Sequence, residues 1–507
     1  VKDQDSTIIT KQKENFSTYL SRYEKTLTEL FSSNLNVFET SVNRGIPGLV
    51  MRDILECKPL SVFIPEEYEG RGTDTAECLK VLEVSSYHSL PLSLMVGING
   101  ALFLQPLSLY GQESKKESVY YDFIHNRKMG GLMITEPGYG SDALHMQTSY
   151  TESGNGFDIK GTKHWAGLTG WADYWLLTAR KQDDKGNLGR DIDFFIHSTQ
   201  ADGGIEVEEV FNNLGLFMLP YGRNVIDTTV NTDSKLVPRT TGVKMMLDIL
   251  HRSRMQFPGM AMGFIKRNLD EAISHCKDRF VGGKSLLEYD QVQERISKIQ
   301  AAFTTCSAMC AFTSINASMS HDLARADIQA NTIKTLMSDY MQETSQSLLQ
   351  LVGAKGYKQE HIAGKGTIDS RPFQIFEGSN DILYQQITES VVKAMRRAKL
   401  TNLFSFLKDH ELSAHSSSIL KDTLNFDIDY TLSQRKLVEL GRALSRVFSM
   451  NFVIQLGESG FRSDLIQNAL NHLAQEAGTH INAYAGKQEL SVIVDYTEDS
   501  NWASYLK

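Results

Sequence analysis

The chain has 507 residues, 41% hydrophobic and 22% charged, the make-up of a folded protein with room for roughly two to four domains. Its formal net charge of −9 excludes broad nucleic-acid binding, which needs clustered positive charge. Cys57, Cys78, Cys276, Cys306 and Cys310 are odd in number and widely scattered, so they do not read as a disulfide framework and point to a reducing compartment. No apolar run of about 18 residues is read in the chain, so no membrane span is expected. The first residues, Val1-Lys-Asp-Gln-Asp5, are polar and acidic, unlike a signal peptide. A bacterial cytoplasm or a mitochondrial matrix is the expected setting.

In chain order, residues 14–128 read mainly as helices. Phe16, Leu20, Tyr23, Leu27 and Leu30 recur at four- and three-residue spacing, the period of an amphipathic helix. Pro65, Gly70 and Gly72 mark a loop. The texture changes near Gly130. Short strand candidates follow at Phe157-Asp-Ile-Lys160, Tyr174–Ala179, Asp193–His197 and Ile205–Val210, the first after a Ser153-Gly-Asn-Gly156 hairpin-like turn. They suggest a small β-barrel or sandwich. Helical period returns after Lys244, where Val292, Ile296, Ile299, Phe303, Cys306 and Cys310 form one apolar stripe. On such a face Cys306 and Cys310 read as core thiols. Met395-Arg-Arg-Ala-Lys399 reads as a cationic helix C-terminus. Beyond residue 400, Leu437, Leu440, Leu444 and Val447 make another stripe, and Leu465, Ala469, Leu470 and Leu473 a last one.

The expected fold is α+β, mostly α. It has a helical N-terminal domain (1–129), a middle β-barrel domain (130–243), a C-terminal four-helix bundle (244–400) and an extra helical region (401–507).

Two glycine patterns are decoys. Gly138-Tyr-Gly-Ser-Asp-Ala143 matches a dinucleotide fingerprint in form, but Pro137 precedes it and a threonine-rich, β-like stretch follows, where the fingerprint must open a helix. Gly283-Lys-Ser285 resembles the end of a phosphate-binding loop, but Asp278 stands where its first glycine is required. No H-E-x-x-H or G-x-S-x-G motif supports a metalloenzyme or hydrolase.

The heptapeptide Phe376-Glu-Gly-Ser-Asn-Asp-Ile382 places one carboxylate beside a glycine and small polar residues. Such a carboxylate suits a general base against a weakly acidic carbon, although a lone Glu-Gly is also an ordinary helix-end charge. Other blocks give it context. Met133-Ile-Thr-Glu-Pro-Gly-Tyr-Gly-Ser-Asp142, Gly161-Thr-Lys-His-Trp165 and Ala172-Asp-Tyr174 closely resemble the T-E-P-x-x-G-S-D, G-x-K-x-W and A-D blocks of the acyl-CoA dehydrogenase family. Ile64-Pro-Glu-Glu-Tyr68 with Gly70 and Gly72, Tyr110-Gly-Gln112, Asp278-Arg279 with Gly283-Lys284, and Gln350 with Gly353 and Gly356 agree in order and spacing. The heptapeptide itself resembles Y-E-G-T-N-E-I. The resemblance covers about residues 20–400.

The resemblance implies FAD bound between subunits of a homo-oligomer, dimer or tetramer, and an acyl-CoA substrate. It implies dehydrogenation to a trans-2-enoyl-CoA, with Glu377 taking the α-proton and the β-hydride passing to flavin N5. Such enzymes serve fatty-acid β-oxidation. By position, Met133, Thr135, Ser141 and Trp165 match flavin contacts, and Arg279, Gln350 and Gly353 match positions reaching the partner subunit's FAD. Ser379 and Asp381 match residues holding the cofactor beside the base. Arg254, Ser141 and Gly378 match the substrate side. The expected electron acceptor is an electron-transfer flavoprotein. Alternatives are an acyl-CoA oxidase, which passes electrons to oxygen, and a low-turnover flavin-binding relative.

Five positions depart from the family pattern. Trp165-Ala-Gly167 replaces W-I-T and is similar to the W-P-G of acyl-CoA oxidases. Gly282 stands for a phenylalanine, Asp290 for a glutamine (with Gln291 adjacent) and Ala354 for a glycine. Residues 401–507 hold nine Lys and Arg against thirteen Asp and Glu. That balance is wrong for an anionic membrane surface and suggests a region covering one face of the bundle, which favours a dimer.

Overall fold

The computed structural model describes residues 13–32, 46–486 and 491–506; the polar start at Val1–Asp5 lies outside them. Helix α1 (Phe16–Ser32) buries Tyr19, Tyr23 and Leu27 and packs Phe16, Leu20 and Leu30 at the core's edge. α2 (Gly48–Glu56) leads through a long loop with 3-10 turns at Pro59–Phe63 and Glu66–Tyr68 to α3 (Thr75–His88), whose first turn is capped by the Asp74 carboxylate accepting from the Glu77 N–H. α4 (Leu90–Asn99), one π turn at Gly100–Leu104 and α5 (Gln105–Tyr110) continue as one apolar rod, and α6 (Glu113–His125) follows.

That rod bears on the expectation of no membrane span. Leu90–Tyr110 spans 21 residues at a mean hydropathy of 1.5, long and apolar enough to cross a bilayer. Uncharged Ser93, Asn99 and Gln105 interrupt the apolar pattern but barely lower its mean. Here 83% of the apolar window is buried inside the protein, which makes it a core helix. Its polar groups are satisfied internally: Ser93 Oγ donates to the Leu82 carbonyl and Asn99 Nδ2 to that of Met95.

Seven strands form the half-barrel in the middle of the chain: β1 (Gly130–Met133), β2 (Ser149–Ser153), β3 (Gly156–Gly167), β4 (Tyr174–Lys181), β5 (Asp193–Ser198), β6 (Ile205–Val210) and β7 (Tyr221–Asn231). They run β1-β4-β2-β3-β7-β6, with β5 added on β4. The β2–β3 hairpin closes where expected, with Ser153 opposite Gly156. β1 is too short to show a pattern. β7 alternates buried and exposed residues, but its buried set is Gly222, Asn224, Ile226, Thr228 and Val230. Only Ile226 and Val230 are apolar, so the period of two does not show in the sequence.

The second helical part starts with α7 (Gly242–Asp278), which carries Pro258 inside it. Gly263 lets α7 meet α3 backbone to backbone, since a Cβ there would fall 1.9 Å from the Glu83 carbonyl oxygen. The Gly283-Lys-Ser285 decoy is a tight hairpin between β8 (Phe280–Val281) and β9 (Lys284–Ser285), turned by Gly282 and Gly283 at positive φ. α8 (Asp290–Asn316), α9 (Asp327–Val352) and, after α10 (Ile362–Ser370), α11 (Asn380–Ala398) complete the bundle. Val292, Ile296, Ile299 and Cys306 are buried as the stripe predicts, with Phe303 and Cys310 part-buried. All five cysteines are free. Arg396 and Arg397 end α11 as expected.

The tail adds α12 (Leu403–Leu407), α13 (Lys421–Leu424), α14 (Gln434–Glu458) and α15 (Ser463–Ala485). α14 pairs with α15 and lies on α8, α9 and α11. Leu440, Leu444, Val447, Ala469 and Leu473 fill the seam. At its centre Gly441 touches α11; a Cβ there would fall 1.9 Å from the Tyr384 carbonyl oxygen.

Candidate active site

Glu377 lies in the turn between α10 and α11. Its φ is 53° and that of Gly378 is 91°, two successive left-handed residues. For a glutamate that backbone costs about 1–2 kcal/mol, so the neighbours must hold it. Two cationic side chains do. Arg254 of α7, which is buried, donates from Nε to the Glu377 carbonyl at 3.0 Å, and from Nη1 to Asn331 Oδ1 at 2.9 Å. Lys334 of α9, fully buried, donates from Nζ to the Gly378 carbonyl at 2.8 Å and to Asn380 Oδ1 at 2.9 Å.

The turn aims the carboxylate into the protein. Ser253 Oγ donates to Glu377 Oε1 at 2.9 Å, while Oε2 is buried with no partner in the protein. Burial pushes the Glu377 pKa up, opposed by Arg254, by the Ser253 hydrogen bond and by Lys334. Burial also brings Lys334 down to about 7, against the pull of Glu377. The carboxylate borders a tight apolar cleft, lined by Leu82, Leu94, Gly97, Ile98, Ala101 and Leu102 on one side and by Ser253, Gln256 and Met260 of α7 on the other. A poorly solvated base at the end of an apolar slot suits abstraction of a proton from a weakly acidic carbon.

A second group of residues lines the sheet beside this cavity. A bulge between His164 and Ala166 in the β3–β7 pairing throws Trp165 into the left-handed region, φ 57°, with the residue 54% exposed. Its ring lies 4.5 Å from that of Phe211 and 6.5 Å from that of Tyr221, centroid to centroid. Tyr221 links the two groups: burial first and then the Glu377 charge raise its pKa. Gly167 borders both, since a Cβ there would lie 2.9 Å from Ile98 Cδ1 and 3.3 Å from Tyr221 Cε1.

The loop after β1 is fixed from below. Fully buried Lys163 pairs with Glu136 at 2.8 Å and also donates to Thr178 Oγ1 and the Ile134 carbonyl. Thr178 Oγ1 in turn donates to the Met133 carbonyl, and the His164 N–H to that of Thr135 at 2.7 Å. Met133, Thr135 and Trp165 thus come together where the loop after β1 meets β3. Ser141 lies further along the same loop, exposed, after Gly138 and Gly140, where an added Cβ would meet nothing within 4 Å.

The remaining predicted residues sit elsewhere. Arg279 follows the end of α7, Gln350 lies in the last turn of α9 and Gly353 caps it; all are exposed and none lines the cavity. Ser379 is the N-cap of α11, yet its hydroxyl makes no capping bond. Asp381 is exposed and binds Arg442 of α14 at 2.9 Å, so the tail engages it. Ser253 and Lys334 escaped the sequence reading. Ser253 directly precedes Arg254, and Lys334 is the lone cation in Ala330–Met341 of a buried helix, which is the signal that could have found it.

Three models of one family match the chain consecutively: the acyl-CoA dehydrogenase N-terminal domain over residues 26–125, the middle domain over 131–229 and the C-terminal domain over 240–392. The chain belongs to the acyl-CoA dehydrogenase family. It is 23% identical over 366 residues to the very long-chain specific acyl-CoA dehydrogenase of Rattus norvegicus mitochondria, covering 71% of this chain but only 55% of that protein. The chain therefore spans about half the length of that relative. It is 24% identical over 328 residues to the cyclohexane-1-carbonyl-CoA dehydrogenase of Syntrophus aciditrophicus (strain SB), covering 64% of this chain and 83% of that one. The FAD-complexed acyl-CoA dehydrogenase of Bacillus anthracis shares the family fold at a TM-score of 0.76 and 18% identity, over 93% of this chain and 88% of its own. A cover that wide reaches beyond residue 400, so part of the tail belongs to the shared fold.

Proposed function

We propose that this protein catalyses the FAD-dependent α,β-dehydrogenation of an acyl-CoA thioester, with Glu377 as the base that takes the α-proton. The observation that carries this reading is the Glu377 carboxylate: it ends an apolar cavity, Ser253 holds one oxygen and the other is buried without a partner. A thioester α-carbon is a poor acid, so the base needs both orientation and a raised pKa. The Gly378 turn and the two cations supply the orientation, and burial supplies the shift. The apolar lining of the cleft suits an acyl chain and keeps water from the base. Gly378, adjoining the base, offers a backbone N–H on the substrate side.

The chain's residues fit FAD. Exposed Trp165, backed by part-buried Phe211 and Tyr221, gives an aromatic shelf for a flat ring system. The open turn around Gly138, Gly140 and Ser141 leaves room for a phosphate group, and the uncommitted Ser379 hydroxyl adds a donor. Met133, Thr135, Trp165, Ser141 and Ser379 are the residues that would hold it in one subunit. Arg279, Gln350 and Gly353, on an exposed end of the bundle, would reach the FAD of a partner subunit in a homo-oligomer. When bound, FAD supplies the hydride acceptor; the protein supplies position and polarity.

The second reading is an acyl-CoA oxidase, favoured by Gly167 in place of a threonine at the junction of sheet and cavity. Rapid peroxide formation under air without an electron-transfer flavoprotein supports it; strict dependence on that flavoprotein rejects it. The test of the main reading is anaerobic addition of acyl-CoA to the yellow protein. Wild type should bleach, and Glu377→Gln should keep its flavin but stay yellow. Full bleaching of Glu377→Gln would remove the base from this role.

A further inference from the structure

The cation under the base loop is the end of a longer chain of hydrogen bonds that starts in the tail. Arg446 of α14 donates from Nη1 to Tyr384 Oη at 3.0 Å. Tyr384 Oη donates to Asp339 Oδ2 at 2.7 Å. Asp339 Oδ1 accepts from Asn380 Nδ2 and from Gln374 Nε2, both at 2.7 Å. Asn380 Oδ1 accepts from Lys334 Nζ at 2.9 Å, and the same ammonium donates to the Gly378 carbonyl at 2.8 Å. At the outer end, Arg446 Nε and Tyr340 Oη both donate to Glu476 Oε2 of α15, at 3.0 and 3.2 Å.

We propose that Arg446 is a positioning residue for Glu377, acting through Tyr384, Asp339, Asn380 and Lys334 on the carbonyl of Gly378. The inference rests on the dehydrogenase reading for its catalytic consequence, but not for its mechanical one.

Three features carry it. First, the chain has a fixed sense. Arginine only donates, so Tyr384 must accept from it and give its own proton to Asp339; the carboxylate accepts; the Asn380 amide must then turn its NH₂ to Asp339 and its oxygen to Lys334. A flip of the Asn380 amide would set its NH₂ against the Lys334 ammonium and its oxygen against the Asp339 carboxylate. Second, the path is shielded at both ends. Tyr384 and Lys334 are fully buried, Arg446 is 4% exposed and Asn380 is buried, with Asp339 part-buried between them, so a link broken at Arg446 or Lys334 is poorly replaced by bulk water. Third, the far end matters. Glu377 and Gly378 hold successive positive φ values, and each carbonyl has one cationic donor: Arg254 for Glu377 and Lys334 for Gly378. Arg254 is carried by α7 in the bundle itself. Lys334 is steadied through Asn380, and Asn380 through a carboxylate whose other oxygen is fixed by the tail. Gly441, in contact with the Tyr384 backbone, sets α14 close enough for Arg446 to reach in.

The test compares three variants as flavin-loaded, full-length protein. Arg446→Met keeps the bulk and removes the donors. Arg446→Lys keeps the charge with fewer donors. Leu473→Ala loosens the α14–α15 seam without touching the chain. Two quantities are read: the anaerobic rate of flavin bleaching at saturating acyl-CoA, and amide hydrogen exchange of residues 376–382. Arg446→Met should slow bleaching about 10- to 100-fold, the scale of a small misplacement of a reacting group, with KM held, and should speed exchange at Gly378. Arg446→Lys should recover part of both. Leu473→Ala should lower Tm and move neither. Should Arg446→Met fail to fold, Tyr384→Phe cuts the same path by one hydroxyl and replaces it. Unchanged rate and exchange in the cut variants, or equal changes in Leu473→Ala, would overturn the proposal. If wild type itself fails to bleach, the dehydrogenase reading falls, while exchange at Gly378 still decides the anchoring.

Discussion

Glu377 and Trp165 share an uncommon backbone, φ 53° and 57°, yet the glutamate turns its carboxylate into the bundle while the indole stands 54% exposed on the sheet. The left-handed turn at Glu377 is held from a distance, by side chains of α7 and α9 reaching two carbonyls. The one at Trp165 is held locally, by a bulge between two paired strands. The difference separates two kinds of failure. Damage to the base loop should appear in the rate of the chemical step. Damage to the aromatic shelf should appear in how tightly the flavin is kept, with the fold unaffected.

The strongest challenge to that division is Glu377→Gln. Loss of a general base should slow flavin reduction by about 10²- to 10⁴-fold while flavin content stays at the wild-type level, as read by stopped-flow absorbance and by flavin released on denaturation. Gly378→Ala comes next. A Cβ there would sit 2.9 Å from Leu383 Cδ2 and 3.3 Å from Arg254 Nη2, at a φ of 91° that disfavours alanine. It should cost about 1–3 kcal/mol in urea unfolding and slow bleaching as well, since strain and orientation meet at that residue. Trp165→Ala should weaken flavin retention by up to about tenfold, the worth of one aromatic contact, and leave the Tm of the flavin-free protein unchanged.

The smallest effect expected is a shift in pH dependence. The base works ionised, so bleaching should rise with pH through the raised pKa of Glu377. The Lys334 cation lowers that pKa. Lys334→Met should therefore move the rising limb to higher pH. An unmoved limb would show that Lys334 acts on the loop through hydrogen bonds alone.

Much of the fold was legible in the sequence because its apolar stripes follow the helical period and are buried by it, as at Tyr23, Leu27, Ile299, Leu444 and Leu473. β4 and β5 were seen in advance through their apolar buried faces, and the mostly exposed β6 through its alternation of apolar and acidic residues. β7 was hidden because Asn224 and Thr228 occupy its buried face, and the Leu90–Tyr110 rod because its serines and amides bond within the core. At the site, Glu377 was legible only through the blocks around it, which fix what a lone Glu-Gly cannot. The roles of Lys334, Ser253 and Arg446 were not legible, since each depends on a partner far along the chain: Gly378, Glu377 and Tyr384 in turn. Asp381 shows the converse. Its place in the heptapeptide pointed to the cofactor, while Arg442, far along the chain, holds its carboxylate in this structure.

The central claim is that a clamped, water-poor Glu377 removes the α-proton. The most direct measurement uses an acyl-CoA whose β-position bears no hydrogen, incubated with the flavin-loaded protein in deuterated water, with deuterium at the α-carbon read by mass spectrometry. Wild type should exchange the α-hydrogen and Glu377→Gln should not, although both bind the thioester. Equal exchange by the two proteins would contradict the account, because some other group would then be the base.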